Sequence, residues 1–135
     1  EKMNRQWVLI DTSAWIAALR PSGLKEMKEK IEILLSEDCV AVSGIIMLEL
    51  LSGTRAEKEY QDLSEDLEGL HYIPTGEDVW RCSYRLSRSV KKGGLTIPAT
   101  DLLIASIAIT SGCKILHLDK HFDFLAKHSP LQVLA

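Results

Sequence analysis

Cysteine is scarce in this sequence and cannot pair off. Cys39, Cys82 and Cys113 are odd in number, and no two stand at a CxxC interval. Neither a disulfide framework nor a thiolate zinc site is expected, and a reducing, cytoplasmic setting is the simplest reading. Also missing is any apolar run near the ~20 residues that cross a bilayer, so no membrane partner is expected. Positive charge is short too: 16 basic residues face 19 acidic ones, for a net charge of −3. Coating a nucleic acid is mostly phosphate neutralisation, which this balance excludes, although an enzyme with a local basic rim is still allowed. There is no internal repeat, low-complexity tract or long linker. The 135 residues fit a single domain, 1–135, in which residues 1–6 (EKMNRQ) are expected to be a flexible start without fold information.

What is present is an alternation of short apolar runs and amphipathic stretches. WVLI (7–10), CVAVS (39–43), HYI (71–73), KILHL (114–118) and LQVL (131–134) read as strands. TSAWIAAL (12–19) follows the first as a helix capped by Thr12 or Ser13. LKEMKEKIEILLSE carries Leu24, Met27, Ile31, Leu34 and Leu35 at the helical period. IIMLELL (45–51) reads as a core helix with Gly53 at its C-terminal cap. RAEKEYQDLSEDLEGL and EDVWRCSYRLSRSVKK are amphipathic, and TDLLIASIAIT (100–110) is apolar on nearly every side, hence central. HFDFLAKH (121–128) is a short helix before the last strand. The predicted order is β-α-α-β-α-α-β-α-α-β-α-β. Apolar strands alternating with helices imply an α/β fold with a mainly parallel sheet covered on both faces.

Four carboxylates stand in apolar company. Asp11 ends WVLI, Glu49 interrupts IIMLELL, Asp101 opens DLLIASIAI, and Asp119 ends KILHL. Each has an ordinary explanation. Asp101 or Thr100 could cap a helix, and Asp11 and Asp119 could begin turns. Glu49 is harder to place, because an unpaired buried carboxylate costs several kcal/mol. If the first and fourth strands are neighbours, Asp11 and Asp119 come about 5 Å apart at the backbone, with the Asp101 helix above the same edge. Carboxylates so crowded repel unless a divalent cation lies among them. Hard oxygen donors at an open rim suit Mg²⁺ or Mn²⁺, which can activate water and stabilise charge on phosphate.

The stretches LIDTSAWI, MLELLSG, IPATDLLIASIA and HLDKHFDFLA resemble, in order, the four acidic motifs of the PIN domain, most closely those of VapC-type toxins. The resemblance covers the chain from Trp7 onward. It implies a three-layer α/β/α sandwich and a metal-dependent endoribonuclease that leaves 5′-phosphate and 3′-hydroxyl ends. It makes Asp11, Glu49, Asp101 and Asp119 the catalytic, metal-binding cluster, supported by Ser13 and Thr100. It also implies an RNA substrate, one or two Mg²⁺ or Mn²⁺ ions, a cognate antitoxin and a homodimer.

The last motif departs from that pattern. His117 stands where Thr or Ser is usual, and His121 where a second Asp is usual. His121 reads most simply as a surface residue at a helix start, though a neutral imidazole could ligate or touch phosphate. Asp123, four places after Asp119, is expected on an outer helix face. Arg20, Lys91, Lys92 and Lys120 are candidate phosphate contacts, while Arg81, Arg85 and Arg88 read as a solvated helix face. Trp15 is expected in the core or at a dimer contact rather than against a base. Four alternatives stand beside this reading: a PIN-fold nuclease outside a toxin–antitoxin pair, a receiver-like Mg²⁺-binding signalling module, metal-free cleavage by histidine through the 2′-hydroxyl, and a catalytically silent PIN fold used only for binding, against which the complete acidic set argues. The second needs a phosphorylatable Asp at a central strand end, and HYIPTG offers none.

Overall fold

A computed structural model describes residues 6–134. Of the expected flexible start, residues 1–5 lie outside the described residues; Gln6 is described, and its side-chain amide donates to the Gly112 carbonyl at 2.8 Å. The described elements are β1 (Val8–Ile10), α1 (Thr12–Leu19), α2 (Lys25–Ser36), β2 (Val40–Ser43), α3 (Gly44–Ser52), α4 (Glu57–Glu68), β3 (His71–Ile73), α5 (Glu77–Lys92), α6 (Ala99–Ser111), β4 (Lys114–Leu116), α7 (Lys120–Lys127) and β5 (Gln132–Val133). Their order is the one predicted from the alternation of apolar runs.

The five strands form one parallel sheet in the order β3-β2-β1-β4-β5. β1 is central and buried throughout, as is β2 beside it. Leu9 pairs with Ala41 on one side and with Ile115 on the other. The chain moves outward from β1 to β2 and β3, then crosses back to β4, so the order reverses between β1 and β4. Right-handed crossovers therefore set α1–α4 on one face and α5–α7 on the other. Packing agrees: α1 lies against α2 and α3, and α3 against α4, while α6 lies against α5 and α7. This is the three-layer α/β/α arrangement.

Helix α6 is the central apolar helix, with Leu102 through Ala108 all buried. Its one polar residue there, Ser106, returns its hydroxyl to the Leu102 carbonyl at 2.8 Å. Trp15 is buried on α1, as expected for a core residue. Cys39 and Cys113 are buried, Cys82 half-buried, and all three are free thiols. Burial pushes the Cys113 thiol up, against a smaller opposing effect of the Ser111 hydroxyl.

Three local expectations are corrected. α1 is capped by Asp11, not by Thr12 or Ser13: the Asp11 carboxylate accepts from the Ser13 N–H. α6 is capped by neither Thr100 nor Asp101; its cap position is Pro98, whose ring presets the backbone and leaves Asp101 inside the first turn. β4 stops at Leu116, two residues before the apolar run ends. Beyond it the backbone donors leave the ladder. The Leu118 N–H goes to Ser13 Oγ at 3.0 Å, and the Asp119 N–H goes to His117 Nδ1 at 3.0 Å.

The α1–α2 turn depends on glycine. The Leu24 N–H reaches back to the Ala17 carbonyl, and the Gly23 N–H to that of Arg20. A Cβ on Gly23 would lie 1.9 Å from the Ala17 oxygen. Gly23→Ala is therefore expected to destabilise the fold by about 1–3 kcal/mol, the usual range for overpacking. Urea unfolding checks this, with exposed Ser22→Ala expected to be close to neutral.

Candidate functional site

Asp11 directly follows β1, and its N–H still donates to the Leu116 carbonyl of β4 at 2.9 Å. It stands beyond the strand carboxyl ends at the β1/β4 reversal, the place where open α/β sheets bind ligands. Its side chain is buried. Oδ2 accepts from the Ser13 hydroxyl at 2.6 Å and from the Ser13 N–H at 3.0 Å. That same hydroxyl oxygen accepts the Leu118 N–H, so one serine joins the turn after β1 to the turn after β4.

Asp119 caps α7, accepting the His121 N–H at 2.9 Å on Oδ1. This cap brings the His121 ring to the acids. Nδ1 lies 2.8 Å from Asp101 Oδ2 and 3.2 Å from Asp119 Oδ1. One donor atom each from Asp101, Asp119 and His121 falls within 4.8 Å of the other two. His121 is thus not the surface helix-start residue its position suggests; its side chain is 25% exposed and belongs to the cluster. α6 runs into β4 from the opposite direction, which sets its first turn, and Asp101, above the same edge.

Glu49 reaches the site differently. α3 is not a core helix: Ile46 and Leu50 are buried, Leu48 is 63% exposed, and Glu49 is half-buried. Its Oε1 accepts from the Thr12 hydroxyl at 2.6 Å. Consecutive residues at the start of α1 therefore hold two of the four acids, Thr12 holding Glu49 and Ser13 holding Asp11. Asp11 and Glu49 lie outside the 4.8 Å trio.

His117 does not face the acids as a ligand. Nδ1 accepts the Asp119 N–H, so the ring proton sits on Nε2, which points to Asp123 at 3.2 Å. Asp123 is exposed on α7, as expected, and anchors this histidine. Thr100 is exposed in the first turn of α6. Arg20, Lys91, Lys92 and Lys120 are all exposed, the two lysines of α5 in its last turn, where they also complement the helix dipole. Arg81 pairs with Glu77 on the α5 surface at 3.0 Å, a solvated face as expected. Among the described residues, His121 is the one basic side chain in contact with the site acids.

Burial drives the Asp101 carboxyl above its ordinary value. The His121 hydrogen bond opposes this, and the charges of Asp119 and Asp11 add to the rise. Two carboxylates and an imidazole, crowded at an open edge, are a donor set that fits a divalent cation.

Comparison with known proteins gives the family. Residues 8–127 match the family model of the PIN domain. VapC ribonuclease Mb1587 of Mycobacterium bovis is 33% identical over 129 residues, covering 93% of this chain and 96% of that protein. Among solved structures, FitAcB from Neisseria gonorrhoeae is 25% identical with a TM-score of 0.75, covering 95% of this chain and 96% of that one. VapBC2 from Rickettsia felis, bound to a promoter DNA fragment, is 20% identical with a TM-score of 0.78, covering 96% and 98%, and shares the fold. The chain belongs to the PIN domain family and, within it, to the VapC ribonucleases.

The raised Asp101 value has a consequence for stability. The folded state holds the Asp101 proton more tightly than the unfolded state, so this group's contribution is full below the ordinary value of 3.8 and is lost as pH rises through the raised one. In chelator, Asp101→Asn is expected to melt a few degrees above the unsubstituted protein at pH 7, with the difference closing below about pH 4. Thermal unfolding across that pH range checks it.

Proposed function

We propose that this chain is a divalent-metal-dependent endoribonuclease and the toxin of a VapBC-type toxin–antitoxin pair. The observation that carries the reading is the meeting of Asp101 and Asp119 at the β1/β4 reversal, with the Asp11 charge felt at Asp101. The VapC ribonuclease relatives support RNA as substrate.

On this reading Asp11, Glu49, Asp101 and Asp119 are the catalytic acids, and Asp101, Asp119 and Asp11 hold Mg²⁺ or Mn²⁺, with Glu49 at the rim. The bound ion supplies an acidified water and charge compensation at the phosphate. The protein's own residues position the parts. Ser13 fixes the buried Asp11 carboxylate, and Thr12 holds one Glu49 oxygen. Water oxygen bonds to phosphorus and the 3′-oxygen leaves with a proton, giving 5′-phosphate and 3′-hydroxyl ends. An acidic rim repels RNA, so Arg20, Lys91, Lys92 and Lys120 are the proposed backbone contacts. Partners are a cognate antitoxin and a second copy of the chain. Ile16, Leu19, Leu24 and Leu48, exposed on α1 to α3, leave apolar surface that supports such contacts. No described helix is long and apolar enough to cross a membrane, and the cytoplasm is the proposed setting.

The receiver-like alternative is disfavoured by topology. β3 is an edge strand here, whereas a 2-1-3-4-5 order would put the third strand at the centre. Histidine catalysis is disfavoured at His117, whose two ring nitrogens are both engaged.

Asp11→Asn is expected to keep the fold and lose RNA cleavage by at least about a hundredfold, the scale of removing an electrostatic contributor from a reaction centre. Cleavage of total RNA with Mn²⁺, Mg²⁺ or EDTA, with ends mapped, is the check. Full activity in EDTA with cyclic-phosphate ends would refute the metal mechanism.

A further inference from the structure

We propose that His121 is an inner-sphere nitrogen ligand that biases this site toward Mn²⁺ and against Mg²⁺. The inference rests on the metal-dependent reading above and adds to it which ion the site prefers and which residue sets that preference.

The geometry points to the ring itself. Nδ1 faces both acids at once, 2.8 Å from Asp101 Oδ2 and 3.2 Å from Asp119 Oδ1. A cation between those carboxylates would take the place of the Nδ1 proton, which leaves to solvent while Nε2 takes up the ring hydrogen, and would then meet the Nδ1 lone pair. The backbone N–H of His121 donates to Asp119 Oδ1 at the start of α7, which keeps the residue's backbone beside that carboxylate. The neighbouring imidazole, His117, is turned the other way, with Nδ1 on a backbone donor and Nε2 on Asp123. His121 is therefore the nitrogen available to the trio.

Donor chemistry then sets the selectivity. Mg²⁺ takes hard oxygen donors and sheds its water reluctantly, so replacing a carboxylate by an imidazole costs it most; Mn²⁺ also favours oxygen but, as a first-row transition ion, loses less by accepting one nitrogen. A neutral imidazole also brings no negative charge, which weakens the purely ionic attraction on which Mg²⁺ relies. A carboxylate at position 121 would reverse both effects.

The test uses Mn²⁺ and Mg²⁺ on the whole chain. Electron spin echo modulation of the Mn²⁺-loaded wild type is expected to show ¹⁴N coupling from a directly bound imidazole, absent in His121→Asp. Calorimetric titration is expected to show the ratio of Mg²⁺ to Mn²⁺ dissociation constants falling about tenfold or more in His121→Asp. His121→Asn, which keeps an N–H donor toward the acids but no imidazole, is expected to lose the coupling as well. Mn²⁺ uptake by the wild type without nitrogen coupling would overturn the proposal and leave the metal site standing. An unchanged ratio in His121→Asp would overturn it in the same way. Failure of the wild type to take up either ion would instead overturn the metal-dependent reading, and this proposal with it. The wild-type spectrum decides even if a variant does not fold.

Discussion

The arrangement turns on negative charge gathered where the sheet's order reverses. β1 and β4 run side by side and end together, and the turns that leave them deliver Asp11 and Asp119 to one edge. Asp101 arrives from the start of α6. Carboxylates taken out of water and set beside each other oppose folding. Among the described residues the answer is short hydrogen bonds from hydroxyls and one imidazole rather than lysine or arginine. Compensation of that kind is incomplete, as the raised Asp101 proton affinity records. A site left short of positive charge is one whose donors suit a doubly charged ion.

The supporting residues are small and local. Thr12 and Ser13 sit on the first turn of α1, so one helix start orients two acids from different parts of the chain. His117 plays the matching part after β4. By taking the Asp119 N–H it ends the strand ladder and fixes the turn that aims α7. Ser43, at the end of β2, and Trp15 each keep a buried polar atom without a partner among the described residues, and nothing in the structure explains either.

Much of the fold is legible in the sequence, because buried parallel strands leave continuous apolar runs and the helices between them keep a 3.6-residue period. The strand and helix order follows from that alone. Boundaries differ where side chains take over backbone donors: Asp11 rather than Thr12 caps α1, and Ser13 and His117 end β4 early. Such bonds join residues as far apart as Ser13 and Leu118, and no local pattern announces them. Glu49 stands out in the sequence for a reason the structure does not support. The run around it reads as core, yet α3 leaves Leu48 open and Glu49 half-buried, because an apolar run does not say which neighbours cover it. Thr12 reads only as a possible cap, although its place beside Asp11 in DTS is a usable signal. His121 reads as surface because its role depends on α6 lying across the sheet edge from α7.

The Ser13 oxygen gives to one turn and receives from the other. Through that atom the exits of β1 and β4 are joined. The turn before α7 therefore meets Asp11 through polar atoms at the sheet edge rather than through the hydrophobic interior. The two walls of the pocket are stitched at two points, this oxygen and the Leu116 carbonyl that takes the Asp11 N–H, so parting them means breaking both.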